Sequence, residues 1–193
     1  MIIDLDALDH NIREVSRALG GRDLRIVAKS VPSTSLIDYI SDLSGSNRLM
    51  AFHEPFLGAM GNQQFDILFG KPMPVAAAAR FYDRPALKRF DPTTQLQWLI
   101  DTPERLAQYV SLAQTKNVTM RVNIELDVGL HRGGVHDPAV LQQMLKTIEQ
   151  TPQLTFNGLM GYDPHVVKMP ELIVGQQEEF QQVQQRYQKM LDV

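Results

Sequence analysis

Two lysines close short apolar runs in this chain, and one stretch brings an arginine, a histidine and two carboxylates together around glycines. Lys29 ends Leu24-Arg25-Ile26-Val27-Ala28-Lys29. Side chains on a strand alternate faces, so Arg25, Val27 and Lys29 share one face and Leu24, Ile26 and Ala28 the other. A lysine amine in a confined site loses its proton readily and forms a Schiff base with an aldehyde. A surface lysine, or a charge partner for Glu125 or Asp127, fits the same spacing, and Lys71 after Gly70 is a competing amine. The second concentration is Glu125-Leu126-Asp127-Val128-Gly129-Leu130-His131-Arg132-Gly133-Gly134-Val135. Arg132 offers a planar, permanently charged donor fork, and the glycines let backbone approach a ligand closely. A solvated arginine on a glycine-rich loop fits equally. Tyr162 and His165 follow Gly158-Leu159-Met160-Gly161, and His53 follows another apolar run. A lone histidine is more often a hydrogen-bonded structural residue than a catalyst. His131, His136 and His165, with Asp127 or Asp163, have no metal-ligand spacing, so no metal site is read here. Neither G-x-G-x-x-G, a Walker lysine motif nor G-x-S-x-G occurs.

The elements that must position these groups alternate between two periods. Strands are expected near Leu24–Lys29, Leu49–Phe52, Asp66–Phe69, Leu96–Ile100, Thr119–Val128 and Thr155–Gly161, with helical patterns between them. Asp137 caps a helix that begins at Pro138 and buries Leu141, Met144, Leu145 and Ile148. Asp101 or Thr102 caps another before Pro103, with Leu106, Tyr109, Val110 and Ala113 inward. The last helix is expected to bury Phe180, Val183, Tyr187 and Leu191 and to turn its glutamines to solvent. Lys71–Pro92 is the least regular part.

Strand–helix alternation predicts a parallel sheet with crossover helices. The strand Arg121–Val128 separates an open doubly wound sheet from a closed barrel. Val122, Ile124, Leu126 and Val128 alternate with Arg121, Asn123, Glu125 and Asp127. An open sheet covered by helices on both faces has no place for the polar set, whereas a barrel directs it inward. An edge strand with one wet face is the alternative. The expected architecture is α/β, a parallel (β/α) barrel of TIM type. Six strands against the usual eight in about 250 residues make it incomplete. Residues 1–193 then form one domain, part of a longer chain, with free strand edges near Leu24–Lys29 and Thr155–Gly161 unless something covers them.

Composition sets the class. Of 193 residues, 44% are apolar and 21% charged, and the net charge is -3, so neither nucleic acid nor an anionic membrane is an expected partner. Without cysteine, disulfides and thiolate ligands are excluded. The first residues lack a basic stretch followed by an apolar one, and Val75–Ala79 is far too short to span a bilayer. The expected setting is cytoplasmic.

Together, the opening Ile3-Asp4-Leu5-Asp6-Ala7-Leu8-Asp9-His10-Asn11-Ile12, the strand ending Val27-Ala28-Lys29-Ser30, the Asp127–Val135 segment and Gly158–Tyr162 resemble the fold type III pyridoxal-phosphate enzymes of the alanine racemase N-terminal-domain family. The D-threonine aldolase and D-serine dehydratase branch looks nearest. The resemblance spans essentially the whole chain and rests on the order and combination of its motifs. It implies that Lys29 carries pyridoxal 5'-phosphate as an internal aldimine. It implies that Arg132 approaches the cofactor's phenolic oxygen and that Tyr162 lies beside the ring; His165 is a looser match. Where alanine racemases have a tyrosine four residues after the lysine, Ser33 stands here. Where the aldolase branch has a His-Lys pair, Ser30 is followed by Val31-Pro32. The family's pyridine-nitrogen partner, C-terminal β domain and aldolase metal ligands, including a divalent metal, would lie beyond residue 193. The resemblance therefore implies a lyase or racemase acting on a D- or β-hydroxy amino acid, as a homodimer when full length, with the present stretch inactive alone. A non-catalytic pyridoxal-phosphate carrier on a similar barrel, and a sugar- or phosphate-processing barrel without this cofactor, are the competing expectations.

Overall fold

A computed structural model describes residues 2–60, 64–85, 89–167 and 175–193. In chain order the elements are α1 (Leu5–Leu19), β1 (Ile26–Val27), α2 (Thr34–Ser44), β2 (Arg48–Ala51), α3 (Phe56–Met60), β3 (Asp66–Phe69), α4 (Val75–Tyr82), α5 (Pro92–Gln95), β4 (Leu96–Ile100), α6 (Pro103–Lys116), β5 (Met120–Leu126), α7 (Pro138–Glu149), β6 (Leu154–Gly161) and α8 (Gln176–Leu191). They form two compact units: Met1–Lys71 with Asp83–Leu96, and Pro72–Tyr82 with Gln97–Val193.

The first unit is built on β1, β2 and β3, parallel and in that order. Its register sorts side chains into layers. Ile26 pairs with Leu49 and Leu49 with Ile67; Ala51 pairs with Phe69. These residues and Ala28 are all buried, as the outward, apolar half of the alternation requires. The opposite face begins with Arg25, whose guanidinium donates to the carbonyls of Leu49 and Asp66 at 2.9 Å each and pairs with the Asp66 carboxylate at 3.3 Å. α1 starts at an Asp4 cap that accepts from the Ala7 N–H at 3.1 Å, and α2 at a Ser33 cap.

The second unit is built on β4 from Gln97 onward, β5 and β6, also parallel. Trp98, Ile100, Val122, Ile124 and Leu126 form its buried outward set. The inward set is polar and mutually bonded. Arg121 donates to Asn157 Oδ1, while Asn157 and Asn123 both donate to Gln97 Oε1, at 2.7 and 2.9 Å. Asn157 is the extra residue of a bulge in β6. β5 is thus flanked by strands on both sides, which removes the edge-strand alternative. Behind the sheet, Trp98 donates to the Tyr82 hydroxyl at 3.1 Å and tilts against Tyr109 with centroids 5.7 Å apart. Burial pushes the Tyr82 hydroxyl up to about 12, against the Trp98 hydrogen bond.

The structure corrects several sequence expectations. β1 is two residues long, because the chain turns at once: Ser30 N–H donates to the Val27 carbonyl at 3.1 Å. β2 ends at Ala51 and not at Phe52. β5 ends at Leu126, since Asp127 leaves the ladder to cap the following loop. Within Lys71–Pro92, the alanine run after Pro74 forms α4, as its high helix propensity favours; residues 86–88 lie outside the described residues. On α8 the buried stripe runs through Glu179, Val183 and Met190, while Phe180 and Leu191 are 45% and 52% exposed. The stripe is turned by about one residue, toward the charged pair that Glu179 and Arg186 make. The Thr102 and Asp137 caps and the Leu141, Met144 and Ile148 face agree with expectation. Among the described residues no helix is long and apolar enough to cross a membrane.

Trp98, the sole tryptophan, is fully buried. Trp98→Ala should destabilise the protein by about 3–5 kcal/mol. Trp98→Phe, which keeps most of the apolar volume, should cost less. Urea unfolding followed by circular dichroism checks both, and equal midpoints for Trp98→Ala and wild type would contradict this packing.

Candidate functional site

The C-terminal ends of the strands carry the reactive side chains in each unit. In the first unit, Lys29, Phe52 and Gly70 follow the C-terminal ends of β1, β2 and β3, neighbours in the sheet. Lys29 is exposed, and its amine lies 4.3 Å from the centroid of the Phe52 ring. A Cβ on Gly70 would stand 2.4 Å from Phe52 Cζ and 2.5 Å from Met50 Sδ. Only glycine leaves room for those two side chains. His53, next along, is exposed, and Lys71 is exposed beyond Gly70. Buried Glu54 is held by Arg84 at 2.7 Å.

In the second unit the focus is the loop after β5. Its chain returns to pair Val135 beside Leu126: Val135 N–H donates to the Glu125 carbonyl at 2.8 Å, and Asp127 N–H to the Val135 carbonyl at 3.0 Å. Gly134 makes the return possible. Its φ is +100°, and a Cβ there would come within 2.7 Å of the Asp127 nitrogen. Asp127 organises the near side, accepting from the Gly129 and His131 N–H groups at 3.0 Å each and meeting His131 Nδ1 at 2.8 Å. Burial pushes the Asp127 carboxyl up, but the Gly129 N–H, the His131 ring and the His131 N–H outweigh it and leave it below the ordinary aspartate range.

This loop presents Arg132. Its Nη2 lies 2.5 Å from Glu125 Oε1, and Cζ sits 4.5 Å from the centroid of the Tyr162 ring. Glu125 is 3% exposed, so its carboxylate needs such a partner. Arg132 is thereby fixed on two sides, by a charge-assisted bond and by an aromatic face.

Of the four residues singled out in the sequence, Arg132 and Tyr162 are brought together. Lys29 stands with Phe52 and Gly70. His165 is turned toward α8, with Nε2 3.3 Å from Glu179 Oε1 and Nδ1 buried without a hydrogen-bond partner. Glu179 also receives Arg186 at 3.0 Å, and Arg186 donates on to the Val128 carbonyl. The Arg186 bond, against burial and with help from His165, holds the Glu179 carboxyl below its ordinary range. Glu125 bonds to Arg132, and Asp127 to the N–H groups and ring of the loop. His131 adopts a left-handed backbone with φ +54°. His136 is exposed and lines a small concavity with Arg186 and Lys189. Among the described residues no three acidic or histidine side chains gather to hold a metal ion. The sequence reading missed Phe52, a residue type with no chemistry of its own, and the Glu179–Arg186 pair, hidden among glutamines. Their spacing of seven, one helical face, was the available signal.

Residues 66–193, more than half of the chain, match the family described as alanine racemase, N-terminal domain. No curated protein matches significantly. Among solved structures, the chain is similar to alanine racemase from Bacillus anthracis, with 18% identity and a TM-score of 0.74 over 98% of this chain and 46% of that one. It is similar to D-threonine aldolase from Filomicrobium marinum, with 19% identity and a TM-score of 0.74 over 96% of this chain and 49% of that one. A D-threo-3-hydroxyaspartate dehydratase aligns with 18% identity and a TM-score of 0.68 over 97% of this chain and 49% of that one. The chain thus spans about half the length of the structures it matches. At these identities the likeness is one of fold. It is an incomplete parallel (β/α) barrel of TIM type, with six β/α units where eight would close it.

Asp127 and Glu179 are stronger acids folded than unfolded. Their contribution is therefore complete above the ordinary carboxylate range and is lost as pH falls through the lower folded values. Stability should be level above about pH 5 and drop below about pH 4. Glu179→Gln should show a shallower drop in urea midpoints measured from pH 7 to 3. Parallel acid limbs in the two proteins would refute the assignment.

Proposed function

The chain belongs to the alanine racemase N-terminal-domain family, and from that premise we propose that it serves a pyridoxal-phosphate-dependent enzyme acting on a D- or β-hydroxy amino acid, as a lyase of aldolase or dehydratase type or as a racemase. The observation that carries the reading is Lys29, an amine at the C-terminal end of a parallel strand in a chain of this family. That end is where β/α barrels keep their chemistry.

The residues present suit this cofactor by their donor chemistry. Lys29 is an accessible amine over an aromatic face, suited to hold an aldehyde. Arg132, held by Glu125 and stacked on Tyr162, is suited to donate to a ring's phenolic oxygen while Tyr162 flanks the ring. His165, through its orphaned Nδ1, is suited to a polar group of the same ligand. When bound, pyridoxal phosphate supplies an electron-accepting ring for bond breaking at the amino acid's α-carbon. Lys29 would hold the cofactor's aldehyde and would serve as the base that takes or returns a proton at that carbon. Arg132 keeps a permanent positive charge and so orients without exchanging protons. The proposed substrate is a small amino acid and the proposed assembly a homodimer of the longer protein.

The reading is tested by mixing the protein with pyridoxal phosphate, reducing with borohydride and mapping the labelled peptide by mass spectrometry. A pyridoxyl group on Lys29 is expected, lost in Lys29→Ala and reduced severalfold in Arg132→Met. Label spread over surface lysines, or concentrated on Lys71, would sink the proposal.

A further inference from the structure

We infer that Phe52 is the positioning residue of Lys29, its ring face carrying the lysine's amine at the strand ends, and that Gly70 is glycine so that this ring can lie there. The inference rests on the reading of Lys29 as the cofactor lysine and adds a residue to it.

Three observations converge. The Lys29 amine stands 4.3 Å from the Phe52 ring centroid. Lys29, Phe52 and Gly70 follow the ends of β1, β2 and β3, which are neighbours in the sheet. Any side chain at Gly70 would displace the ring, because a Cβ there would come within 2.4 Å of Phe52 Cζ. Gly70 is buried and its φ is not in the left-handed region, so backbone conformation does not demand glycine; the Phe52 and Met50 side chains do.

The physical consequence is preorganisation. A lysine side chain carries about 2 kcal/mol of rotamer freedom, which a fixed placement must offset. An ammonium over a ring face gains roughly 0.5–1 kcal/mol at an exposed site, enough to favour one placement about two- to fivefold. Phe52 supplies no proton and no bond to substrate. It biases where the charged side chain rests at the strand ends.

The test uses the 193-residue chain with two readouts. In the first, lysines are reductively methylated with ¹³C-formaldehyde, which keeps their charge, and the Lys29 signal is assigned by its loss in Lys29→Arg. A dimethylamine over a ring face is shifted upfield of the other lysines. The shift should persist in Phe52→Tyr and vanish in Phe52→Leu, which keeps apolar volume without a ring. Gly70→Ala should resemble Phe52→Leu, and Phe52→Leu decides the matter if Gly70→Ala does not fold. In the second readout, pyridoxyl fixation on Lys29 of the wild-type protein tests the cofactor reading separately. An unchanged Lys29 signal in folded Phe52→Leu overturns the inference and leaves the cofactor reading standing. A wild-type protein that shows the shift but fixes no pyridoxyl on Lys29 overturns the cofactor reading, and with it the role of Phe52 toward that cofactor.

Discussion

A carboxylate buried at the end of β5 is the constraint on which the reactive loop depends. Glu125 is 3% exposed, and an unpaired charge so placed would cost several kcal/mol. It is satisfied by Arg132, seven residues on, which can reach it only if the chain reverses at once. The reversal needs a residue at Gly134 without a Cβ, a backbone bridge from Val135 to Leu126, and a carboxylate at Asp127 to receive the N–H groups left over in the turn. Each feature of the segment follows from the need to return a cation to Glu125. The guanidinium thus held also lies over the Tyr162 ring, so the group proposed to meet a cofactor oxygen is held by a charge and by an aromatic ring.

The same logic of alternation runs through the strands of both units. In each unit one face is apolar and packed beneath helices, and the other carries groups that are polar and bonded to one another. Arg25 with Asp66 and the Gln97–Asn123–Asn157 set occupy that face toward the N-terminal ends of the strands. These groups satisfy one another and have little left to offer a ligand. The reactive residues lie at the other end of the strands, where Lys29 and Arg132 rest against aromatic rings.

α8 shows how local pattern and tertiary context diverge. Its apolar residues alone define a stripe through Phe180, Val183, Tyr187 and Leu191, yet Glu179 is buried and Phe180 is not. The carboxylate is drawn in because Arg186, one helical face away, and His165 both point at it, and Arg186 also reaches the Val128 carbonyl. Charge-assisted bonds at a partly buried site outweigh the gain from covering one more aromatic ring.

The sequence by itself determined the order of the elements, the parallel alternating architecture and the two-faced character of β5. Period-two and helical patterns record burial directly, and β3 and β4 have the expected bounds. It also singled out Lys29 and the Arg132 loop, because lysine, arginine and clustered glycines advertise chemistry by type alone. Only the tertiary structure decided the partners. That Glu125 belongs to Arg132, that His165 meets Glu179, and that Phe52 lies against Lys29 are set by the strand ends and the loop return. They bring together residues far apart in the chain, or turn near ones toward unexpected neighbours. A pattern along one strand states which face a side chain takes; what it meets there is set by the neighbouring strand.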